Sequence, residues 1–540
     1  MEPSAQPPAA SPAPTSLWRR ALRYLSPSHT HSAFAATLLL MAAAAASRVI
    51  GLVRIKYVAW LLGAGAAADA YNSAFMLPDK LQYFLIGGAS SIVFVTMLSR
   101  YREQGRWEEG ERAMSVILST MALVLGLAII GAEFIAPLYV HTLLPGFDAD
   151  PAKAALCVRL TRILLPAQLF FLAGGVFSAV LLARKQFALQ AITPLIYNTG
   201  IILGGVVLAH ELGASSLAIG AVAGAFLGPF LLNAIWAHRA GMRFRFRLDF
   251  KDPGLREWVG MSVPLMLGVS LVTADNWIIN YFASNNGGAI TLLLYAKQFF
   301  NAPVGLGQAA GAASLPFLAS LFNSRNNDGF SRTVNTAVSR ILAFSLLLSA
   351  FMLAMGFPLL DAIMRGGAFH RAESHVMALY FSIFSVSLCL WAAQAIYARA
   401  FYAAGNTVLP MIAGTLVTAV SIPVYWWLYH TYGPIGLPIA SDIGILFQTL
   451  TLAILLHQKG MVSLAGLEYA ELARSLTAGA IAFATLIGLR YLIPSRNLLT
   501  ELALLVLATL LWITVSTAVL KATGSQLPNE LLRRFRKSAA

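Results

Sequence analysis

The chain has 540 residues, 58% of them hydrophobic and only 11% charged, against roughly 25% charged in an ordinary soluble protein. With a mean hydropathy of +0.71, that composition excludes a soluble globular enzyme and places most of the chain in lipid. The net charge is +15, but nucleic-acid binders are rich in charge overall, whereas these positives are sparse and lie largely between apolar runs, so no nucleic-acid partner is expected.

Residues 1–32 are rich in Pro, Ala and Ser, contain Arg19, Arg20 and Arg23, and read as a disordered cytoplasmic leader. The apolar run that follows has the look of a signal peptide, but it continues through Arg48 to Gly63 and the chain then keeps returning to apolar stretches. A bilayer core takes about 20 apolar residues per helix. Runs of that kind, bounded by Pro, Gly or charge, give fourteen spans at about 33–62, 69–99, 113–139, 154–183, 187–210, 215–238, 257–284, 288–322, 334–360, 374–403, 407–430, 433–457, 470–493 and 498–521. The expected fold class is an all-α integral membrane protein of about fourteen transmembrane helices. Two pseudo-symmetric six-helix lobes, 33–240 and 257–457, are joined by a basic cytoplasmic linker, 241–256. Two further helices within 458–522 and a basic tail, 523–540, complete the chain.

Orientation follows from the loops. The leader, the loops after even-numbered spans and the tail hold 25 Lys and Arg, while the opposite loops hold five, Lys153, Arg365, Arg371, Arg490 and Arg496. Such a bias puts both termini of a multi-pass membrane protein in the cytoplasm. Within the linker, Arg243-Phe-Arg-Phe-Arg247 reads most simply as part of this topology signal, with contact to anionic lipid as the alternative. Cys157 and Cys389 both lie in apolar stretches and supply neither a disulfide framework nor a metal site.

The sequence repeats itself. Ser91-Ile92-Val93-Phe94 resembles Ser314-Leu315-Pro316-Phe317, Ala183-Arg184 resembles Ala398-Arg399, and Gly213, Leu217 and Ile219 recur as Gly433, Leu437 and Ile439. Spans one to six and seven to twelve therefore read as two copies of one unit, in the same orientation because each has an even number of helices.

Ionisable residues inside the spans are costly and must face a wet cavity or a partner. Arg48 and Arg54 lie six residues apart, about 120° around a helix and about 9 Å along it, and could line one broad cavity wall at two depths. A guanidinium fork matches phosphate oxygens bidentately; the structural alternative pairs Arg48 with a carboxylate such as Asp69. Lys56, Arg159 and Arg340 read as snorkelling or structural. Pro78 and Pro303 interrupt spans two and eight, with Lys80 and Lys297 nearby, and broken helices at matching places in two repeats point to a transport site. Asp275 and Asp442 could hold Na⁺ or a proton, or be ordinary buried hydrogen-bond partners. Gly305-Leu-Gly307 with Gly311 is misspaced for a nucleotide loop, and no HExxH, Walker A or nucleophile elbow is present. Gly220, Gly224 and Gly228 read as a helix-packing face.

Ser47-Arg-Val-Ile-Gly-Leu-Val-Arg54, Gly63-Ala-Gly65, Asp69-Ala-Tyr71 and Phe75-Met-Leu-Pro78 resemble the opening helices of the MurJ (MviN) lipid II flippases, of the multidrug/oligosaccharidyl-lipid/polysaccharide exporter superfamily. The resemblance covers residues 33–525. It implies a transporter rather than an enzyme: two lobes around a cationic cavity, a C-terminal helix pair forming a groove for a polyprenyl tail, and lipid II, the undecaprenyl-pyrophosphate-linked peptidoglycan precursor, as substrate for cell wall biosynthesis. No cofactor is implied, with Na⁺, H⁺ or membrane potential as the drive and cell-wall synthesis proteins as possible partners. By position, Ser47, Arg48, Arg54 and Asp69 match family cavity residues. The family's arginine pair beyond the span-two proline is here Gln82-Tyr83, and its span-eight arginine is Gln298, with Lys80 and Lys297 close by to restore charge. The family's span-seven sodium-site acid falls nearer Ile279 than Asp275. The alternatives are an exporter of another undecaprenyl-linked glycan or of a small amphipathic solute, and a polyprenyl-phosphate glycosyltransferase, for which the loop acids Asp148, Asp150, Glu108, Glu109 and Glu111 make a poor catalytic set.

Overall fold

The structure, a computed structural model, describes residues 33–529 except 87–93, 95, 96, 99, 102, 184–187, 268–270 and 494–496. The leader, Ser91–Val93 of the repeat, Arg184, Lys185, Arg496 and the arginines of the tail lie outside the described residues.

Among the described residues, every predicted span falls largely on helix. Span one is Ala33–Leu62, span three Trp107–Leu143, span five Ala188–Leu212, span eight Ala289–Asn323, span nine Asn327–Met364, and spans eleven to fourteen are Val408–Tyr432, Gly436–Gln458, Tyr469–Leu492 and Leu498–Ala522. Span four is divided into Pro151–Leu164 and Ala167–Ala183, span seven into Pro253–Leu267 and Leu271–Ala283, and span ten into Arg371–Val386 and Leu388–Ala403, the last pair bent by 46°. Span six passes through a π-helical stretch, Phe226–Leu232, that contains Pro229. Among the described residues, eight helical stretches are long and apolar enough to cross a membrane, or nine with the bent pair. Spans one, two, seven and eight fall outside that set; they carry the in-span charges Arg48, Arg54, Lys56, Asp69, Asp79, Lys80, Asp275 and Lys297. Phe134, Val207, Val420 and Leu499 are each at least 70% exposed, as lipid-facing side chains are, while the backbone polar groups are satisfied within helices.

The two prolines behave differently. Span two consists of Ala66–Ala74, a break at Phe75, then Met76–Leu81 with Pro78 in its first turn, then a π-helical turn, Gln82–Ile86. Pro78 sits where helix N–H groups have no partner to lose. Pro303, expected to interrupt span eight, does not: the helix runs unbroken from Ala289 to Asn323. One missing N–H is tolerated where neighbouring helices hold the rest of the turn in place.

The internal repeat has a backbone signature. Gly213 before span six has φ 52°, ψ −131°, and Gly433 before span twelve has φ 63°, ψ −147°, a region open essentially to glycine alone. Gly220 and Gly224 do pack against another helix: a Cβ on Gly220 would lie 2.5 Å from the Gly200 carbonyl oxygen of span five, so only small residues permit this approach. Spans thirteen and fourteen attach to span nine, where Trp512 Nε1 donates to the Leu347 carbonyl at 2.9 Å and Arg365 bridges Asp361 and Glu501, each at 3.2 Å.

The two lobes are tied together at the arginine-poor end. Lys56 Nζ donates to the carbonyls of Met364 and Arg365 at 2.8 and 2.5 Å, and Ala368 N to the Trp60 carbonyl at 2.8 Å. Gly146 N donates to Ser284 Oγ at 3.2 Å. Gly63, at φ +65°, lies so close to Ala368 that a Cβ would be 2.5 Å from its carbonyl oxygen. At the arginine-rich end Arg100 pairs with Glu257 at 2.6 Å, and Phe94 stacks on Trp258 at 5.6 Å.

Candidate functional site

Between the lobes lies a cavity of about 320 Å³. Span one supplies Arg54, span two Tyr71, Asn72 and Asp79, span five Tyr197, span seven Asn276, Trp277 and Asn280, and span eight Tyr295 and Gln298. Four of these five are the spans that stand outside the apolar set. Among the described residues Arg54 makes no hydrogen bond or ion pair within 4 Å, and it shares the cavity wall with the Asp79 carboxylate. The inventory is one guanidinium, one carboxylate, four carboxamides and three phenols. Such a lining hydrogen-bonds a phosphorylated, hydroxyl- and amide-rich ligand.

Only part of the expected set is in this cavity. Arg54 and Gln298 line it. Arg48 and Ser47 lie further along the same helix toward the arginine-rich end, and the exposed Arg48 guanidinium reaches span eight, Nη1 donating to the Ala302 carbonyl at 3.4 Å. It lies against Gly305, where a Cβ would stand 2.8 Å from Nη2. The misspaced glycine thus leaves room for an arginine. Pro303, two residues before it, is half-buried, and Pro78 is buried beside Asp79.

Asp69 is a correction. It is wholly buried and outside the cavity wall. Its Oδ2 accepts from Lys153 Nζ at 2.9 Å and Gly288 N at 2.7 Å, and its Oδ1 from Thr291 N and Oγ1 at 3.0 and 2.8 Å. It pairs with Lys153, not Arg48, and caps the start of span eight, where a carboxylate meets unsatisfied N–H groups. No acceptor capacity remains for a ligand.

Lys297 is a second correction. It points into the C-terminal lobe, buried, in an ion pair with Asp275. Asp275 also accepts from the Tyr425 hydroxyl and from Ser441 Oγ at 3.0 Å. Asp442 accepts from Ser387 Oγ at 2.5 Å. At Asp275 the place assigned to a metal cation or proton therefore holds a tethered ammonium, and both carboxylate oxygens accept from protein donors; Asp442 is not part of that ion pair. Among the described residues no cluster of three or more His, Cys, Asp or Glu could hold a metal ion.

Lys80 occupies a neighbouring apolar recess of about 740 Å³ with Trp277, Tyr281, Ile422, Pro423 and Trp426. Its Nζ donates to the Tyr139 hydroxyl at 3.1 Å and stands 5.2 Å from the Trp277 ring centre. Gln82 is half-buried in the π-helical turn, outside the cavity lining. The proposed replacement of lost arginines by Lys80 and Lys297 is thus not what the geometry provides. Asp79 lines the cavity although the sequence assigns it no role; the signal that marks it is a charge next to Pro78. The asparagines carried no such signal, since neutral amides occur throughout membrane helices.

The family model described as lipid II flippase MurJ matches residues 58–510. A probable lipid II flippase MurJ from Rhizobium meliloti is 26% identical over 418 residues, 75% of this chain and 78% of the relative. One from Vibrio cholerae is 27% identical over 450 residues, 81% and 85% of the two chains. Among solved structures, a lipid II flippase MurJ in an inward closed conformation superposes with TM-score 0.75 at 22% identity, covering 90% of this chain and 99% of the other. An inward-facing multidrug resistance MATE transporter of the MOP superfamily superposes with TM-score 0.61 at 13% identity, over 76% and 94%. These superpositions show the two-lobed fold, and the family match, which spans most of the chain, shows that it belongs to the lipid II flippase MurJ family.

Proposed function

We propose that this chain turns lipid II from the cytoplasmic to the outer leaflet of the inner membrane by alternating access, with both termini in the cytoplasm. The observation that carries the reading is Arg54: a guanidinium that makes no hydrogen bond or ion pair within 4 Å among the described residues, on the wall of a cavity between two lobes. A permanent cation kept at that depth with no carboxylate within ion-pair distance, the Asp79 carboxylate of the same wall standing further off, is best explained by an anionic ligand. The pyrophosphate meets Arg54, Arg48 guards the approach from the cytoplasmic side, and the carboxamides and phenols receive sugar and peptide groups. At about 320 Å³ the cavity is at the small end of ligand pockets, so the whole head group enters only when the lobes part on the cytoplasmic side. The contacts around Asp69, Lys56 and Gly63 close the outer side, and must be exchanged for closure elsewhere before release. The polyprenyl tail stays in lipid along spans thirteen and fourteen. Since Lys297 holds the cation place at Asp275, we assign the drive to membrane potential acting on the charged ligand and cavity rather than to sodium.

The test is binding of purified lipid II against other polyprenyl-pyrophosphate glycans by native mass spectrometry. Preferential retention of lipid II, lost in Arg54→Ala, supports the reading. Preference for a different head group overturns it in favour of a sibling exporter.

A further inference from the structure

The linker between the lobes is more than a run of positive charge. From Met242 to Phe250 it is non-helical and exposed at almost every side chain. It is nonetheless held in register: Arg245 N donates to Ser115 Oγ at 3.3 Å and Arg247 N to Ser119 Oγ at 3.0 Å. Two residues of extended backbone advance about 6.6 Å and four residues of helix about 6 Å, so the linker runs as an extended strip along span three. Alternation then puts Arg243, Arg245 and Arg247 on one side and Phe244, Phe246 and Leu248 on the other.

Both sides lack protein partners of their own chemistry. Phe244 is 42% exposed, Phe246 68% and Leu248 43%. The acids of the linker are taken: Asp249 and Asp252 face Arg112 at 3.6 and 3.7 Å. Among the described residues none of the three arginines has an ion pair within 4 Å. The strip also sits at a defined depth. Ser115 and Ser119 follow Arg112, the last charge before the apolar run of span three, at the level where that helix enters the hydrocarbon. An aromatic and aliphatic row beside a cationic row at that level is complementary to lipids with an anionic phosphate head and an apolar body.

We propose that residues 243–248 form a docking strip for anionic glycerophospholipids of the leaflet at the arginine-rich end, the arginines binding phosphate and Phe244, Phe246 and Leu248 lying among acyl chains. The occupant is bulk membrane lipid, not the transported substrate, and the strip braces the segment that joins the two moving lobes. The bond pattern with Ser115 and Ser119 separates this site from a simple orientation signal, which needs the charges but no fixed register.

The test uses the purified full-length protein, so its orientation in a cell does not enter. Native mass spectrometry titrates dioleoyl-phosphatidylglycerol against dioleoyl-phosphatidylcholine. Each basic residue near an anionic surface contributes appreciably, so Arg243→Gln/Arg245→Gln/Arg247→Gln is expected to weaken phosphatidylglycerol binding about tenfold or more while leaving phosphatidylcholine unchanged. The matching triple to Lys retains most of the binding and shows that the linker still folds. Phe244→Ser/Phe246→Ser lowers occupancy by both lipids several-fold. A control triple at exposed cations elsewhere on the same side, Arg332→Gln/Lys459→Gln/Lys521→Gln, leaves it within about twofold. Unchanged phosphatidylglycerol binding in the linker glutamine triple, unchanged occupancy in the serine pair, or an equal loss in the control triple overturns the proposal.

Discussion

Asp69 and Thr291, 222 positions apart in the chain, are joined by two hydrogen bonds, Thr291 N and Oγ1 both donating to Asp69 Oδ1 at 3.0 and 2.8 Å. Span two of one lobe thereby caps the start of span eight of the other. Asp69→Ala removes the acceptor for four donors and strands buried Lys153. Breaking a buried pair in this way costs about 3–5 kcal/mol. Thermal unfolding in detergent is expected to register that loss, and Asp69→Ala/Lys153→Met to recover a large part of it. Because the contact also closes one side, an Asn280→Cys reporter in the cavity should label faster from outside in the Asp69→Ala background. Unchanged labelling would separate the pair from gating.

Lys297 and Asp275 make the corresponding prediction within one lobe. Lys297→Met leaves Asp275 with two hydroxyl donors and no cation, again costing about 3–5 kcal/mol, whereas Lys297→Met/Asp275→Leu restores much of the stability. Wild-type translocation is expected to proceed equally in sodium and potassium buffers, since the ammonium already stands at the carboxylate. A strict sodium requirement in proteoliposomes would contradict that assignment.

Gly305→Ala separates position from stability. Its Cβ would meet the end of a flexible side chain, Arg48 Nη2 at 2.8 Å, so the fold can give way by moving the guanidinium. Thermal stability should stay close to wild type while lipid II binding weakens several-fold. If binding is unaffected, the approach role of Arg48 is lost.

Gly213→Ala and Gly433→Ala test the repeat. Neither position has a neighbour within 4 Å of an added Cβ, so the penalty is conformational alone, of order 1–3 kcal/mol for a side chain in that backbone region. The two sites begin equivalent helices of different lobes, and their effects on unfolding should add within about 0.5 kcal/mol.

Much of the fold was legible because lipid simplifies the code. Apolar runs of fixed length and rare charges mark spans such as 113–139 and 498–521, and both are helices. Local glycine patterns were legible too: Gly213 and Gly433 matched in sequence and match in backbone. The site was legible only in part. Arg54 could be singled out since an unpaired in-span charge is expensive wherever it faces. Asp69 and Lys297 carry the same signal, yet they face buried partners, Lys153 and Asp275. A linear sequence does not say which way a helix is rotated, or that a lysine from span eight finds an acid from span seven. Pro303 misled for a related reason, since whether a proline breaks a helix depends on the helices packed around it.

The most direct measurement is lipid II exposure on the outer face of cells depleted of their own flippase and expressing Arg54→Ala at wild-type level in the membrane. Alternating access through the Arg54 cavity predicts that lipid II stays inside and the cells lyse, with Arg54→Lys restoring translocation in part because a point charge replaces a bidentate fork. Outer-leaflet lipid II and growth at wild-type rates in Arg54→Ala would contradict the account.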